Sequence, residues 1–455
     1  MKQSVNYFVA IFFLLHSFFA FSQNDAQNLK ADSASAALKS DTAAEEYVIT
    51  NQLRYEDWVY VPNIKSVLLY ESSFLLSSPV IDVDGGQQVT LSFDDLDADN
   101  KPYYYTLVHC DASWKPSDLM QQEYLSNFFE EPITTYTFSG GTTQRYTHYT
   151  WSFPNNNIRI SKTGNYLFKM YVNGAKDKPV LTRRLMVYST KVAIKANIHQ
   201  AAGSDDYMNK QEVDFSIFYP GYNIPQLADL KVIIQQNNRW DNAIYNLQPL
   251  YLKPNELSYD YDDGSNTFNG GNEYRPAVFK NFKFVTASTD RMYRDSVNSW
   301  HVKLLPDEVK TFNRYYQAVD INGRFLITVE ERDSVLIDVS AEYAHVRFNF
   351  PFEFPMNEGD FYVLGNLVDN HFTKENRMTF NYFTKTYECE LYLKQGYYDY
   401  LYVFLPDGKP AAETNQIEGD HWETENDYTI YVYHKQQGTY YDQLICVQKF
   451  NSAHK

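Results

Sequence analysis

Short runs of alternating apolar and polar residues recur along this chain, separated by glycine- and asparagine-rich punctuation. Residues 88–93 (QVTLSF) place Val89, Leu91 and Phe93 on one face, the period-two pattern of a half-buried strand. The runs 103–109 (YYYTLVH), 146–153, 165–172 (NYLFKMYV) and 183–188 (RRLMVY) predict further strands. Turn signals separate them at Asp84-Gly85-Gly86, Ser139-Gly140-Gly141, Thr163-Gly164-Asn165 and Asn173-Gly174. A helical turn is expected after Pro116, capped by Asp118 with Gln121 three residues on.

The same grammar continues downstream. Val213, Phe215, Ile217 and Tyr219 alternate with polar neighbours over 212–219, and strands are predicted at 230–235, 282–286, 300–304 and 324–329. Asn269-Gly270-Gly271-Asn272 reads as a long polar loop, and Asn322-Gly323 between apolar runs as a hairpin turn. From about 340 onward, strands are expected at 345–350, 361–364, 387–393, 397–405, 428–433 and 443–449, with turns at Gly396 and Asp407-Gly408. Many short strands at this spacing predict an all-β fold of tandem β-sandwich, immunoglobulin-like domains.

The first residues break that pattern. Lys2 precedes an apolar run over about 7–21, closed by Ala20-Phe21-Ser22 with small residues flanking a cut before Gln23. Roughly 15 apolar residues fall short of the about 20 that span a bilayer, so residues 1–22 are expected to be a cleavable signal peptide. No cysteine lies near the cut to accept a lipid, and no later run is long enough to span a membrane. Residues 23–46, rich in Ala, Ser, Asp and Asn, are expected to be a disordered leader. The remainder divides into expected domains at 47–189, 190–339 and 340–455.

Composition sharpens the fold class. The chain holds 40 Tyr and 31 Phe among 455 residues, an aromatic excess that favours pleated, half-buried surfaces over helices. A net charge of −17 argues against nucleic acid and anionic membrane surfaces, which select clustered Lys and Arg. The three cysteines, Cys110, Cys389 and Cys446, leave at least one thiol unpaired within the chain. A Cys389–Cys446 disulfide and buried free thiols both remain open.

Candidate chemistry is sparse. The run Asp94-Asp95-Leu96-Asp97-Ala98-Asp99 invites a calcium loop, but the required Gly and Glu positions hold Asn100 and Thr106, so it reads as a solvated turn. His148 stands alone among strand aromatics and reads as a satisfied structural residue. No nucleophile elbow, phosphate-cradling glycine loop or zinc-binding histidine pair occurs, and Asp262-Asp263 and Glu423 with Glu425 sit among turn residues. No catalytic residue, metal ligand or cofactor is expected, and the chain is not expected to be an enzyme.

Two resemblances bear on function. The segments 361–366 (FYVLGN), 387–391 (YECEL) and 394–400 (KQGYYDY) resemble early-set immunoglobulin-like modules that bind starch or glycogen. Those modules place an exposed Trp just after the Gly-Asn turn, whereas 367–372 (LVDNHF) has none, so the fold analogy is stronger than the sugar-binding one. The tripeptides at 32–34, 41–43, 295–297 and 333–335 are similar to a bacterial O-glycosylation acceptor pattern.

The more specific resemblance lies in an ordered set. It comprises Cys110, Trp114, Pro116-Ser117, Glu123-Tyr124-Leu125, Tyr146-Thr147-His148-Tyr149, Phe153-Pro154-Asn155, Gly164-Asn165-Tyr166 and Thr182-Arg183-Arg184. Together they resemble the N-terminal domain of the type IX secretion system plug proteins of Bacteroidetes, and the resemblance extends to Asp320-Ile321-Asn322-Gly323. It implies a periplasmic protein, associated with the outer-membrane translocon after signal-peptide cleavage, that closes the periplasmic mouth of the large translocon barrel when no cargo is engaged. The implied partner is that barrel, with no nucleic acid and no direct membrane span. A carbohydrate-binding or general envelope interaction protein is the alternative. The signature residues Trp114, Glu123, Tyr124, Tyr146, His148, Tyr149, Pro154, Gly164, Tyr166, Arg183 and Arg184 carry no catalytic role in the family and are expected to be structural. The ending 449–455 (KFNSAHK) does not resemble the basic-tipped sorting domain of exported cargo, which favours a component of the machine over a passenger.

Overall fold

Alternation does build strands, and the strands pair into sandwiches. The computed structural model describes residues 52–203, 206–330 and 336–453. The expected signal peptide 1–22, the leader 23–46 and the acceptor tripeptides at 32–34, 41–43 and 333–335 lie outside the described residues. Among the described residues, no helix is long and apolar enough to cross a membrane.

In the first sandwich, one sheet runs in the order Trp58–Val59, Pro179–Tyr188, Gly164–Val172, Tyr103–Cys110, Glu130–Pro132, with Val80–Asp82 parallel to Pro179–Tyr188. The facing sheet runs Ile64–Glu71, Val89–Asp95, Thr147–Phe153, Tyr136–Phe138. Val89, Leu91 and Phe93 meet Tyr105, Leu107, Phe168 and Leu185 between the sheets, all fully buried. Each such side chain contributes about 1.5–3 kcal/mol on burial. Two strands, Val89–Asp95 and Pro179–Tyr188, are buried on both faces because other parts of the chain cover their backs.

The second sandwich pairs Ala193–Gln200, Lys210–Phe218, Glu256–Tyr259 and Tyr251–Lys253 in one sheet, with Thr267–Asn269 also on Lys210–Phe218. Its other sheet runs Ile244–Tyr245, Leu230–Gln236, Asp427–His434, Gln443–Asn451. The last two strands of the chain therefore close the second sandwich. Val213, Phe215 and Ile217 pack on Val232, Ile234, Ile430 and Val432.

The third sandwich lies inside that closure. One sheet holds Arg275–Val278, Gly396–Pro406, Phe325–Ile327 and Gly359–Leu364, and the facing one Thr289–Arg294, Trp300–Leu304, Tyr343–Pro351, Thr386–Lys394 and Thr379–Asn381. Strand pairing thus crosses the expected boundary at 339/340. The third sandwich is inserted into the second, and the described residues from Tyr55 onward form one compact unit.

Several local expectations need correction. Residues 282–286 form no strand, since 282–286 (FKFVT) lies in an irregular loop. The helical turn is Gln121–Tyr124, and its cap is Met120, whose backbone N–H donates to Glu123 Oε2 at 2.7 Å, not Asp118. Asn322-Gly323 adopts the positive φ pair of a tight turn, 52° and 78°, but only the strand after it is regular, so it closes no hairpin. The polar loop at 269–272 begins at the end of a strand, and its residues 270–272 are buried. It carries the chain from the second sandwich into the third, and a Cβ on Gly270 would stand 1.9 Å from the His421 carbonyl oxygen.

The three cysteines are free and buried. Cys389 and Cys446 lie in the cores of different sandwiches, which excludes the disulfide. Burial pushes the thiols of Cys110 and Cys389 up to about 12 and that of Cys446 to about 11, so they behave as small apolar groups.

Candidate functional site

The signature residues fall into two sets. Glu123, Tyr124, Tyr149, Pro154, Gly164 and Tyr166 brace the first sandwich internally. Tyr124 donates to the Leu107 carbonyl (3.2 Å), and Tyr166 donates to the Lys162 carbonyl (2.7 Å) with its ring edge-on to His109. Tyr149 stacks on Phe93 and accepts from the Lys101 N–H at 2.9 Å. Pro154 follows a cis peptide bond. Gly164 holds φ of +139°, and a Cβ there would lie 2.5 Å from His109 Nε2. Burial lowers the pKa of His109 to about 4, so its imidazole is neutral in the folded protein.

Trp114, Tyr146, His148, Arg183 and Arg184 instead join the first sandwich to the others. The densest joint is centred on Asp94, the residue that sequence reasoning placed in a solvated turn. Asp94 and Asp95 are both fully buried, while Asp97 and Asp99 are exposed. Asp94 Oδ1 meets His148 Nδ1 at 2.7 Å, and Oδ2 accepts from Lys394 Nζ and from the Tyr343 hydroxyl, each at 2.6 Å. Lys394 Nζ also donates to the Asp338 carbonyl (2.6 Å) and lies 4.2 Å from the centre of the Tyr146 ring. The Tyr146 hydroxyl reaches the carbonyls of Ala341 (2.8 Å) and Asp338 (3.0 Å). Burial acts to raise the Asp94 carboxyl, but Lys394 and His148 outweigh it and hold it below the usual carboxylate range.

A second joint pairs Arg183 with Asp369 at 3.1 Å, beside His371, whose Nε2 meets the Asp57 carbonyl at 2.5 Å. This packs the 367–372 stretch against the first sandwich. The place where glycan-binding modules present a Trp is therefore half-buried against the first sandwich here.

A third joint fastens the first sandwich to the second. The Arg184 guanidinium lies 4.4 Å from the Trp114 ring centre and 5.0 Å from that of Trp240, a cation held between two indoles. Burial lowers the pKa of Arg184 against the opposing pull of Asp57 and Glu56. The Tyr433 hydroxyl donates to Asn165 Oδ1 (2.9 Å), and the Ala112 N–H donates to Asp442 Oδ2 (3.0 Å). Where the three sandwiches meet, a cleft of about 440 Å³ opens, with Asp57, Arg184, Trp240, Arg324 and His371 among its walls.

The Asp320-Ile321-Asn322-Gly323 segment serves the seam between the second and third sandwiches. Asp320 Oδ2 accepts from the Tyr274 N–H (2.6 Å), and Asp399 Oδ2 from the Ile321 N–H (2.5 Å). Nearby, Glu273 Oε1 accepts from the Tyr315 hydroxyl and the Glu425 N–H. Burial pushes both Glu273 and Asp399 up to about 7. Arg324 bridges to Asp427 at 3.2 Å across the same seam.

The outside carries exposed aromatics. Phe312 and Phe383 are 97% and 96% exposed, with Tyr316, Val319 and Tyr382 near them in sequence, all on loops of the third sandwich.

Sequence reasoning named one half of each joint. It found Tyr146, His148, Arg183, Arg184 and Trp114, and missed the partners Asp94, Lys394, Tyr343, Asp369 and Trp240. Among the described residues, Asp295 holds the turn of the remaining acceptor tripeptide through the Val297 and Ser299 N–H groups, with Ser296 exposed.

Comparison with known proteins identifies the family. Residues 64–189 match the model of the type 9 secretion system plug protein 1st domain. A crystal structure at 2.30 Å of a hypothetical protein from Parabacteroides merdae ATCC 43184 is 32% identical, with a TM-score of 0.84, over 88% of this chain and 100% of that one. The chain belongs to the type 9 secretion system plug family. A serine-rich repeat adhesion glycoprotein from Streptococcus agalactiae is 9% identical over 86% of this chain and 97% of that one, but a TM-score of 0.12 carries no argument. No curated protein matches. The family match covers the first sandwich, and the matched range includes Trp114, Tyr146, His148, Arg183 and Arg184, which grip the other two. Membership ties the chain to type IX secretion and to an envelope component of that system.

Proposed function

We propose that this plug-family chain is a periplasmic component of the type IX system that binds the large outer-membrane translocon barrel and sterically closes its periplasmic opening between cargoes. On this reading it performs no catalysis. The observation that carries the reading is the set of buried joints, above all Asp94–Lys394, which make three sandwiches one stiff body. A stopper must not be threaded through the pore it blocks, and interleaved strands resist being drawn out singly. A compact chain of about 400 residues has a radius of gyration of about 21 Å, a broad obstacle to anything crossing a pore. Release for cargo requires a separable contact, and the exposed loop aromatics Phe312, Tyr316, Tyr382 and Phe383 supply anchors for one.

The test is affinity purification from detergent-solubilised envelopes, with co-purifying chains identified by mass. Recovery of one very large outer-membrane barrel without exported cargo supports the proposal. Recovery of the chain alone, from the soluble fraction, removes its basis.

A further inference from the structure

The outer face of the second sandwich gathers three ligand-type side chains that no joint uses. In the pairing of Ala193–Gln200 with Lys210–Phe218, His199 stands opposite Glu212 and Asn197 opposite Asp214. Because Val213, Phe215 and Ile217 point into the core, Glu212 and Asp214 share the other face with His199. One ligand atom from each of the three lies within 4.8 Å of the other two. A tetrahedral metal with bonds of about 2.0–2.2 Å separates its ligand atoms by about 3.4 Å, so small side-chain rotations suffice.

The hydrogen bonds of His199 point the same way. Its Nδ1 lies 2.8 Å from the Gln200 carbonyl oxygen, and its Nε2 2.7 Å from Asp214 Oδ2. Both partners only accept. An imidazolium satisfies both, and a divalent cation would take the place of the proton on Nε2. An Nδ1–H held by a backbone carbonyl is also the arrangement that fixes Nε2 as a metal ligand. Glu212 is almost fully buried and accepts from the Ala202 N–H at 3.0 Å, and no Lys or Arg among the described residues pairs with Glu212 or Asp214. Beside them, buried Asn266 donates Nδ2 to Asp214 Oδ1 at 2.9 Å, while its Oδ1 finds no hydrogen-bond partner.

We propose that His199, Glu212 and Asp214 form a binding site for a zinc-class divalent cation. One imidazole nitrogen with two carboxylates suits zinc better than calcium or magnesium, which take oxygen ligands. The ion would clamp the edge strand Ala193–Gln200 to its neighbour. This proposal is independent of the secretion role.

The test is calorimetric titration of zinc chloride into the tag-free, chelator-stripped full chain, repeated with calcium chloride and with the His199→Gln and Asp214→Asn variants. Cobalt(II) absorption provides a spectroscopic readout of the same site, and unfolding midpoints in chelator show whether the variants fold. The expected result is one zinc per chain, a cobalt spectrum of low coordination, and affinity weakened about tenfold or more in each folded variant. Absence of saturable zinc binding, or binding that both variants retain undiminished, overturns the proposal. Calcium binding as tight as zinc overturns its metal class.

Discussion

Replacing Lys394 by Met keeps the length of the side chain and removes only the charge that compensates Asp94. Both groups are essentially fully buried, with 2.6 Å between Nζ and Oδ2, so the variant leaves a desolvated carboxylate facing His148 and two tyrosines. Breaking one half of such a pair destabilises a protein by about 3–5 kcal/mol, while replacing both halves is much milder. The pH dependence follows from the sign of the shift. In the wild type, Asp94 titrates below its unfolded value, so its contribution is present above about pH 4 and is lost as pH falls through the lowered folded value. In Lys394→Met, burial dominates and the folded pKa rises above the unfolded value. That variant loses stability as pH rises from about 4 through its raised pKa, by up to about 1.4 kcal/mol per pH unit. Urea unfolding at pH 5 and pH 8 measures both effects. The expected outcome is a larger deficit at pH 8, with much of it recovered in Asp94→Asn/Lys394→Met, a coupling of about 2–3 kcal/mol. A loss below about 1 kcal/mol at pH 8, or one equal at both pH values, would refute the reasoning.

Other expectations follow from the same geometry. Because Glu273 is raised to about 7, the folded state binds the extra proton between about pH 4.5 and 7, and stability falls as pH rises through that window. Glu273→Gln should therefore gain about 1–2 kcal/mol over wild type above pH 7, allowing for solvent screening, and nothing below pH 4.5; thermal melts across pH check this. Gly164→Ala should cost about 2–3 kcal/mol in urea unfolding, since its Cβ strikes His109 at a backbone angle side chains avoid. Phe312→Ser and Phe383→Ser should leave stability within about 0.5 kcal/mol of wild type yet reduce recovery of the barrel in the capture experiment. Capture undiminished by either change would remove these loops from the interface.

How much could be read from the chain depended on the range of each interaction. Local alternation located Tyr103–Cys110, Gly164–Val172, Thr386–Lys394 and Gly396–Pro406 to within a residue or so. It missed Ile64–Glu71 and Ala193–Gln200, whose polar and apolar residues mix because other segments cover their outer faces or because they edge a sheet. The domain division failed for a related reason. Leu230–Gln236 pairs with Asp427–His434, and nothing in either run says that the intervening chain folds as an insertion. Asp94 looked solvated because it sits in an acidic run, and its cation lies 300 residues away. The His199 triad escaped notice because its spacing exists across two paired strands, not along one.

The most direct test of the account is the permeability of living cells to a large hydrophilic dye. Deleting this chain is expected to let dye pass the outer membrane, re-expression to stop the leak, and deletion of the barrel as well to abolish it. An outer membrane that stays equally tight without the chain, while the barrel is present and idle, would contradict the role of a stopper.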